Sequence, residues 1–381
     1  MDIIYNLDSI ELDRTSLKKR PPSLWRYREL LPIRDETKIV DLGAGLTILH
    51  KCNRLAETLG LKELYVKDDT VNPTGSFKDR PASVAVSKAI EFGYQAVGCD
   101  STGNLAAATA AHAARAGVPC YVFIPCNLEA NKIMQATTYG ARIIGVKGTY
   151  DEANRLATQA ADDYDWALVN INIRSYYVEG SKTLVFETCE QLDWKAPDNI
   201  IIPMGSGALL CSVARGLRQF KDIDELKTKV IGAQPQGCSP IVTAFKSNSD
   251  EVIPIETPNT IAESLAIGDP GDGVYALKAI RESRGVAESA TDEEIIDSIK
   301  LLAKTEGIFA EPAGGITIAV LRKLIKSGQI PRDEEVVCCV TGNGFKSSET
   351  ILKTIPKLVE IKPTVEELKK QLNGEMNFGK G

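Results

Sequence analysis

Short apolar segments alternate with amphipathic stretches along most of the chain. In the first half, helical patterns that begin near Thr102, Leu128 and Thr149 separate four apolar runs, at residues 96–99, 120–124, 142–146 and 166–171. Strands that alternate with helices at this spacing predict strand–helix units and a parallel sheet. After Gly180 the alternation resumes with longer helices and with apolar runs at residues 200–203, 230–233 and 335–340. The pattern therefore predicts a second, larger sheet.

Two such series predict an α/β fold with two open, mostly parallel sheet domains and flanking helices. We expect residues 84–180 to form a small α/β domain. Residues 1–83 and 181–381 together form the larger domain in this interpretation, with residues 1–40 as an arm laid over it. Residues 364–372 are expected to form a helix in the C-terminal tail.

Composition and charge narrow the functional class. The chain has 381 residues, 43% of them hydrophobic, and a net charge of -6, so nothing favours nucleic acid or an anionic membrane as a partner. The first eight residues include acidic side chains where a signal peptide needs cations, which predicts a cytoplasmic protein. Nine cysteines without a Cys-x-x-Cys pair disfavour a disulfide framework, and two histidines, His50 and His112, exclude a histidine-rich metal site.

The segment 72–80, Asn-Pro-Thr-Gly-Ser-Phe-Lys-Asp-Arg, gives the clearest indication of chemistry. Lys78 follows a glycine-serine turn and precedes a helix, with Pro81 suited to the first turn and Gly93 suited to its end. Near the positive end of a helix dipole and beside Arg80, the protonated amine is disfavoured, which makes it a better nucleophile toward an aldehyde. We interpret Lys78 as the lysine that forms a Schiff base with pyridoxal phosphate. The alternative is a surface lysine that opens an amphipathic helix.

A small-residue turn, Ser101-Thr102-Gly103-Asn104, follows the strand that ends at Cys99. Ligands bind at the carboxyl ends of parallel strands in open sheets. Ser101, Thr102 and Gly103 offer amides and hydroxyls to a carboxylate at a helix start, and Asn104 offers an amide to a phenolic oxygen. A plain helix cap is the alternative.

Two further strand ends complete the candidate site. The turn formed by Gly205, Ser206, Gly207, Ala208 and Leu209 resembles a phosphate cradle, because its glycines allow close approach and the next helix presents free amides. Thr341, at the end of the run 335–340, can bond a pyridine nitrogen without protonating it, which suits elimination and replacement more than transamination. A simple tight turn and an ordinary strand end are the alternatives.

These motifs together resemble the threonine synthase branch of the pyridoxal-phosphate enzymes that share the tryptophan-synthase-β architecture, fold type II. The resembling segments are residues 23–32, 64–69, 72–80, 101–104, 306–313 and 341–344. The resemblance implies a pyridoxal 5'-phosphate cofactor in the cleft between the two domains. It also implies that Lys78 carries the Schiff base, Asn104 contacts the ring oxygen, residues 205–209 hold the phosphate and Thr341 faces the ring nitrogen.

The same resemblance implies an activity. A lyase of this branch converts O-phospho-L-homoserine and water to L-threonine and phosphate, a step of amino-acid biosynthesis. The chain departs from the family where Asn-Pro-(aromatic)-Arg-x-Glu-Gly is common, because residues 174–180 read Arg-Ser-Tyr-Tyr-Val-Glu-Gly and place Tyr177 at the arginine position. Arg174, Ser175 and Lys182 are the nearby candidates for binding the substrate phosphate.

Three other functions stay open at this point. The chain could be a synthase that uses O-phosphoserine, such as cysteate synthase, a serine/threonine ammonia-lyase, or a non-catalytic amino-acid sensor. In each case the partner is a small molecule, which is a phosphorylated amino acid if the chain is a threonine synthase. A homodimer is expected from the shape of related enzymes.

Overall fold

The computed structural model describes residues 3–101, 103–126, 130–219, 227–352, 354–355 and 358–378. The chain forms two compact units, Met1–Ser347 and Ser348–Gly381. Two of the predicted helix starts, at Thr102 and Leu128, lie outside the described residues, whereas the helix after Thr149 begins at Tyr150 as expected.

The first unit contains a six-stranded sheet with the strand order β1-β2-β10-β7-β8-β9. Only the edge strand β1 is antiparallel to its neighbour β2, and the other pairings are parallel. Apolar side chains of β7 and β10 are fully buried in the largest core cluster, which explains why the sequence pattern located these strands. The strands are β1 Ile48–Lys51, β2 Glu63–Asp68, β7 Asn199–Pro203, β8 Lys229–Pro235, β9 Ala287–Ala290 and β10 Glu335–Val340.

A second sheet has four parallel strands in the order β5-β4-β3-β6. These strands are β3 Val97–Cys99, β4 Cys120–Pro125, β5 Arg142–Val146 and β6 Ala167–Leu168. All four lie within the predicted small domain, so the expected fold of two mostly parallel sheets is confirmed. The domain boundaries at residues 83/84 and 180/181 stay predictions.

Thirteen α-helices of the described first unit surround the two sheets. They are α1 Arg14–Lys18, α2 Asn53–Leu59, α3 Asp79–Phe92, α4 Asn104–Ala116, α5 Ala130–Thr138, α6 Tyr150–Tyr164, α7 Arg174–Ser181, α8 Thr183–Gln191, α9 Ala208–Gln219, α10 Pro240–Lys246, α11 Gly273–Glu282, α12 Asp292–Glu306 and α13 Pro312–Lys326. Residues Leu24–Leu30 form a 3₁₀ helix.

Local signals account for several helix ends. Gly93 ends α3 in the left-handed conformation, with φ of 87°, as the sequence predicts. Thr149 and Glu152 form a reciprocal capping box at the start of α6, and Thr291 and Glu294 do so at the start of α12.

The second unit contains α14 Ser348–Leu352 and α15 Val365–Phe378. The predicted tail helix is therefore present and longer than expected. Within the residues that the structure describes, no helix is both long and apolar enough to cross a bilayer.

Candidate active site

The loop that carries Lys78 is docked on the end of β10. Ser76 forms an antiparallel bridge with Gly342, and the backbone N–H of Phe77 donates to the carbonyl of Thr341 at 2.8 Å. Gly75 provides the positive φ, 78°, that the turn requires. The loop thus brings Lys78 and Thr341, two of the predicted site residues, to the same strand end.

The side chain of Lys78 leaves this loop at the N-terminus of α3. Its Nζ atom donates to the hydroxyl oxygen of Tyr177 at 3.2 Å and lies 4.8 Å from the centre of the Phe77 ring. Tyr177 is buried, with 7% of its surface exposed. Sequence reasoning noted Tyr177 only as a departure from the family pattern, without predicting this contact.

Arg80 has a different role from the one its position suggested. Its guanidinium is completely buried, with Nε donating to Asp69 at 2.7 Å and Nη2 donating to Glu187 at 2.8 Å. Although burial acts to raise the pKa of Glu187, the charges of Arg80 and Lys67 lower it to about 2. The expectation that Arg80 acts on Lys78 as a neighbouring uncompensated cation is therefore corrected, because two carboxylates balance its charge and tie α3 to the core.

Asn104 lies against a buried glutamate that the sequence did not single out for a role. Its amide nitrogen donates to both carboxylate oxygens of Glu311, at 3.0 and 3.1 Å. Burial raises the pKa of Glu311, while the Asn104 bond and the charges of Lys346 and Lys78 oppose the increase. The available signal was a glutamate directly before Pro312 at a helix start.

Gly342 makes room for this glutamate. A Cβ atom at position 342 would lie 2.3 Å from a carboxylate oxygen of Glu311, a distance that the packing excludes. Since Thr341 and Gly342 belong to the strand end that receives the lysine loop, Lys78, Asn104, Glu311 and Thr341 are assembled in one place.

Lys346 is a second cation close to this cluster. Its Nζ atom donates to the carbonyl of Thr74 at 2.8 Å and to the side-chain oxygen of Gln135 at 2.6 Å. Burial lowers the pKa of Lys346, and its charge acts on the carboxylates of Glu311 and Asp79. No local sequence pattern indicated this lysine.

The predicted phosphate cradle is a tight turn between β7 and α9. Gly207 has a φ of 92°, and a Cβ there would approach the carbonyl oxygen of Asp272 to 3.0 Å, so this position needs glycine. The backbone N–H of Asp272 donates to the carbonyl of Ser206 at 3.0 Å. Because α9 begins at Ala208, the turn leads directly into the unpaired amides of a helix N-terminus, while Leu209 is buried in the larger core.

Arg174, one of the three candidates for binding the substrate phosphate, is linked to this turn. It begins α7, with Ser175 as the second residue, and its guanidinium forms an ion pair with Asp272. Asp272 is also the residue that bonds Ser206, so Arg174 is tied to the cradle through a single carboxylate residue.

Lys182 lies in a different environment. Its side chain is buried, and its ammonium donates to Glu179 at 2.5 Å and to Gln219 at 2.8 Å. Burial lowers the pKa of Lys182 to about 8. These contacts are those of a structural ion pair, and the expected role of Lys182 in substrate binding stays a prediction.

Asp100, which is buried, stabilises the turn before α4. The side-chain amides of Asn154 and Asn170 donate to its carboxylate, and the Tyr150 hydroxyl donates to its carbonyl. Of the three residues expected to bind a carboxylate, Ser101 is partly buried, Gly103 has φ of 69° and ψ of -127°, and Thr102 lies outside the described residues. That backbone conformation is open essentially to glycine alone.

The class of protein follows from comparison with known families. Residues 40–342 match the family described as pyridoxal-phosphate dependent enzyme, to which this chain therefore belongs. It is 43% identical to the threonine synthase of Methanocaldococcus jannaschii over 98% of this chain and 93% of that protein. The threonine synthase of Halalkalibacterium halodurans is 40% identical over 91% of this chain and 96% of its own length.

Solved structures confirm the fold. Maize serine racemase superposes with a TM-score of 0.70 at 22% identity, covering 88% of this chain and 99% of that chain. Threonine deaminase isoform 2 of Solanum lycopersicum superposes with a TM-score of 0.69 at 21% identity, covering 80% and 83% of the two chains. At these identities the likeness extends to the architecture alone.

Proposed function

We propose that this protein is a threonine synthase that converts O-phospho-L-homoserine and water to L-threonine and phosphate. The identity of 43% to a threonine synthase over nearly the whole chain is the observation that carries this function. The geometry around Lys78 supports it, because the amine lies where the ends of strands from both sheets meet.

The residues present fit pyridoxal phosphate. Gly207 allows the left-handed turn that leads into the free amides of α9, which suit a phosphate, and the hydroxyl of Thr341, only 5% exposed, suits the ring nitrogen. Glu311 accepts bonds from Asn104, which fixes the amide nitrogen of Asn104 as the donor in this cluster. When bound, the cofactor supplies a conjugated system that stabilises negative charge on the substrate carbons.

Lys78 performs the proton transfers in this proposal. Its amine would hold the cofactor covalently until the substrate amine takes its place. The free amine would then take the α proton of the substrate, release it, and take a β proton. After the γ phosphate leaves, the γ carbon would receive a proton, water would add its hydroxyl group at the β carbon, and the α carbon would be protonated again. Both protons taken from carbon are thus returned, and the remaining proton of the water leaves with the phosphate.

The other residues hold the two ends of the substrate. Ser101, Thr102 and Gly103 would bind its carboxylate at the N-terminus of α4. Arg174 and Ser175 would bind the dianionic phosphate, since Arg174 is 45% exposed and already lies beside the cradle. The role of Lys182 stays a prediction that this proposal does not use, because its side chain is only 1% exposed.

A three-substrate assay tests the function. The purified protein is given O-phosphohomoserine, O-phosphoserine or threonine, and phosphate, ammonia and amino-acid products are measured. Threonine and phosphate should appear in equal amounts from O-phosphohomoserine alone. Absence of turnover with O-phosphohomoserine would refute the proposal, and phosphate from O-phosphoserine or ammonia from threonine would identify one of the other activities.

We further propose a cytoplasmic homodimer, because the resemblance to threonine synthases favours both properties. Sedimentation velocity on the purified protein tests the dimer, and fractionation of the source cells tests the location.

A further inference from the structure

The contact between Lys78 and Tyr177 has no counterpart in the roles assigned so far. Within the described residues, the hydroxyl of Tyr177 is the hydrogen-bond partner of the Lys78 amine, at 3.2 Å. The Tyr177 ring is also near this amine, with its centre at 5.8 Å, and only 7% of the residue is exposed. A buried hydroxyl is thus directed at the atom that carries the chemistry.

Backbone packing fixes this contact. A Cβ atom at Gly180 would lie 2.4 Å from the carbonyl oxygen of Arg80 and 2.7 Å from the Cα atom of Pro81. Helices α3 and α7 therefore approach so closely that position 180 must be glycine. Tyr177 precedes Gly180 by three residues and so lies on the same face of α7, next to the start of α3 where Lys78 stands.

The buried guanidinium of Arg80 holds the two helices in this position. Its Nη1 atom donates to the hydroxyl of Thr183 at 3.1 Å, and that hydroxyl in turn donates to the carbonyl of Gly180 at 2.8 Å. The Lys78–Tyr177 distance is therefore set by the core of the molecule and not by two free side chains.

Few charged groups compete for Lys78. The charge of Lys78 acts to lower the pKa of the Glu311 carboxyl, against the effect of burial. The charge of Lys346 acts on the same carboxyl in the same sense. Asp79, the next residue along α3, directs one carboxylate oxygen to the hydroxyl and backbone N–H of Thr74, both at 2.9 Å. Tyr177 is the neutral partner among these groups, and a hydroxyl can both donate and accept.

We propose that Tyr177 is a catalytic residue that holds the Lys78 amine during proton transfer, an inference that deepens the proposed function and rests on it. When Lys78 has taken a proton from a substrate carbon, its ammonium donates a hydrogen bond to the Tyr177 oxygen. When the ammonium has returned its proton to the substrate, the hydroxyl turns and donates to the neutral amine. No proton is lost or gained by Tyr177 in this cycle.

The test compares Tyr177→Phe with Tyr176→Phe. Both substitutions remove one hydroxyl from α7, but Tyr176 lies toward the other end of α3. The centre of its ring is 5.3 Å from the centre of the Phe92 ring and 5.1 Å from the Nζ atom of Lys88. The holoenzyme forms of both variants are titrated with pH in the absence of substrate, following the absorption band of the bound cofactor. The kinetic constants are then measured with O-phosphohomoserine.

Tyr177→Phe should shift the midpoint of the spectral titration by roughly half to one pH unit. It should also lower kcat roughly tenfold to a hundredfold and leave KM within about twofold. Tyr176→Phe should match the unchanged protein, and equal thermal unfolding midpoints would confirm that both variants are folded.

Two outcomes would overturn the inference. In the first, Tyr177→Phe has the same titration midpoint and the same kcat as Tyr176→Phe. In the second, Tyr177→Phe has a raised KM and an unchanged kcat. The second would mean that Tyr177 contacts substrate only. Because the spectral titration needs no substrate, it stays interpretable even if O-phosphohomoserine is not turned over, which would instead refute the proposed function.

Discussion

The amide nitrogen of Asn104 lies 3.0 and 3.1 Å from the two carboxylate oxygens of Glu311, a residue 207 positions further along the chain. Asn104 begins the helix after β3, and Glu311 precedes the helix that packs on the larger sheet. The pair therefore joins the ends of the two sheets, where we propose that the cofactor binds.

Replacing Glu311 should weaken cofactor binding. Glu311→Ala leaves the Asn104 amide without its acceptor, and we expect the dissociation constant for pyridoxal phosphate to rise about tenfold, as for the loss of one hydrogen bond to a buried group. Glu311→Gln keeps an acceptor oxygen and should have a smaller effect. Titration of the apo-protein with cofactor, followed by absorbance, measures both. If both variants bind as tightly as the unchanged protein, Glu311 does not hold Asn104 for the cofactor.

Lys78→Ala should abolish covalent attachment of the cofactor and threonine formation. Borohydride reduction of the holoenzyme followed by mass spectrometry should find the cofactor on a peptide containing Lys78, and no adduct in the variant. Lys88→Ala is a suitable control, because Lys88 lies on the same helix but its amine pairs with Glu91. An adduct that persists in Lys78→Ala would show that another lysine carries the cofactor.

Arg80→Met should destabilise the fold strongly. It would leave Asp69 and Glu187 buried without their guanidinium partner, and breaking a buried ion pair in this way costs about 3–5 kcal/mol. Urea unfolding measures the loss. Arg28→Ala removes an ion pair with Glu36 in which both side chains are largely exposed, at 39% and 59%, and should cost less than about 1 kcal/mol. Similar losses in the two variants would contradict the role given to Arg80.

Stability should fall in mild acid because of His112. Its Nδ1–H donates to the carbonyl of Ala108 at 2.9 Å, and burial lowers its pKa from 6.5 to about 4. A base with a depressed pKa in the folded state contributes stability that is complete above pH 6.5 and lost as the pH falls toward 4, roughly 3 kcal/mol in total. Because His112→Phe removes this loss, urea unfolding should show that the free energy of unfolding of His112→Phe, relative to that of the unchanged protein, rises between pH 7 and pH 4.

His50→Gln is the matched control for this measurement, because His50 is the other histidine of the chain and its ring is 36% exposed beside Asp68. Burial raises the pKa of Asp79 to about 6, so this carboxyl acts in the opposite sense, favouring the folded state below pH 6. Asp79 is present in all three proteins, but its carboxylate lies 3.8 Å from the Nδ1 atom of His112, so the difference between variants measures His112 together with its interaction with Asp79. An unchanged pH dependence in His112→Phe would contradict the prediction.

The sequence pattern located the strands that carry a continuous apolar run and missed those that do not. Strands β5 and β10 have the predicted bounds, because continuous apolar runs are typical of parallel strands. Strand β9, Ala-Glu-Ser-Ala, has no such run and is a strand because β8 pairs with it. Strand β1 lies at the other edge and is only partly buried, so its sequence carries a weak signal.

The site was predictable where its residues lie in local turns. The sequence pattern indicated the candidate residues Lys78, Asn104, Thr341 and 205–209, because each follows a strand and precedes a helix or turn. The contacts of Asn104 with Glu311 and of Lys78 with Tyr177 join residues 207 and 99 positions apart, and no local pattern encodes such a pair. The partners of Arg80 and Lys182 were unpredictable for the same reason.

The glycine at position 180 has a mechanical consequence. The chain passes between the sheets through α3 and again through α7, and these two passages meet where Gly180 touches Arg80 and Pro81. Because α3 and α7 carry the connections from the six-stranded sheet to the four-stranded sheet and back, a side chain at position 180 would force the two connections apart. The same separation would draw Tyr177 away from Lys78, so the absence of one side chain sets how closely the two residues can approach.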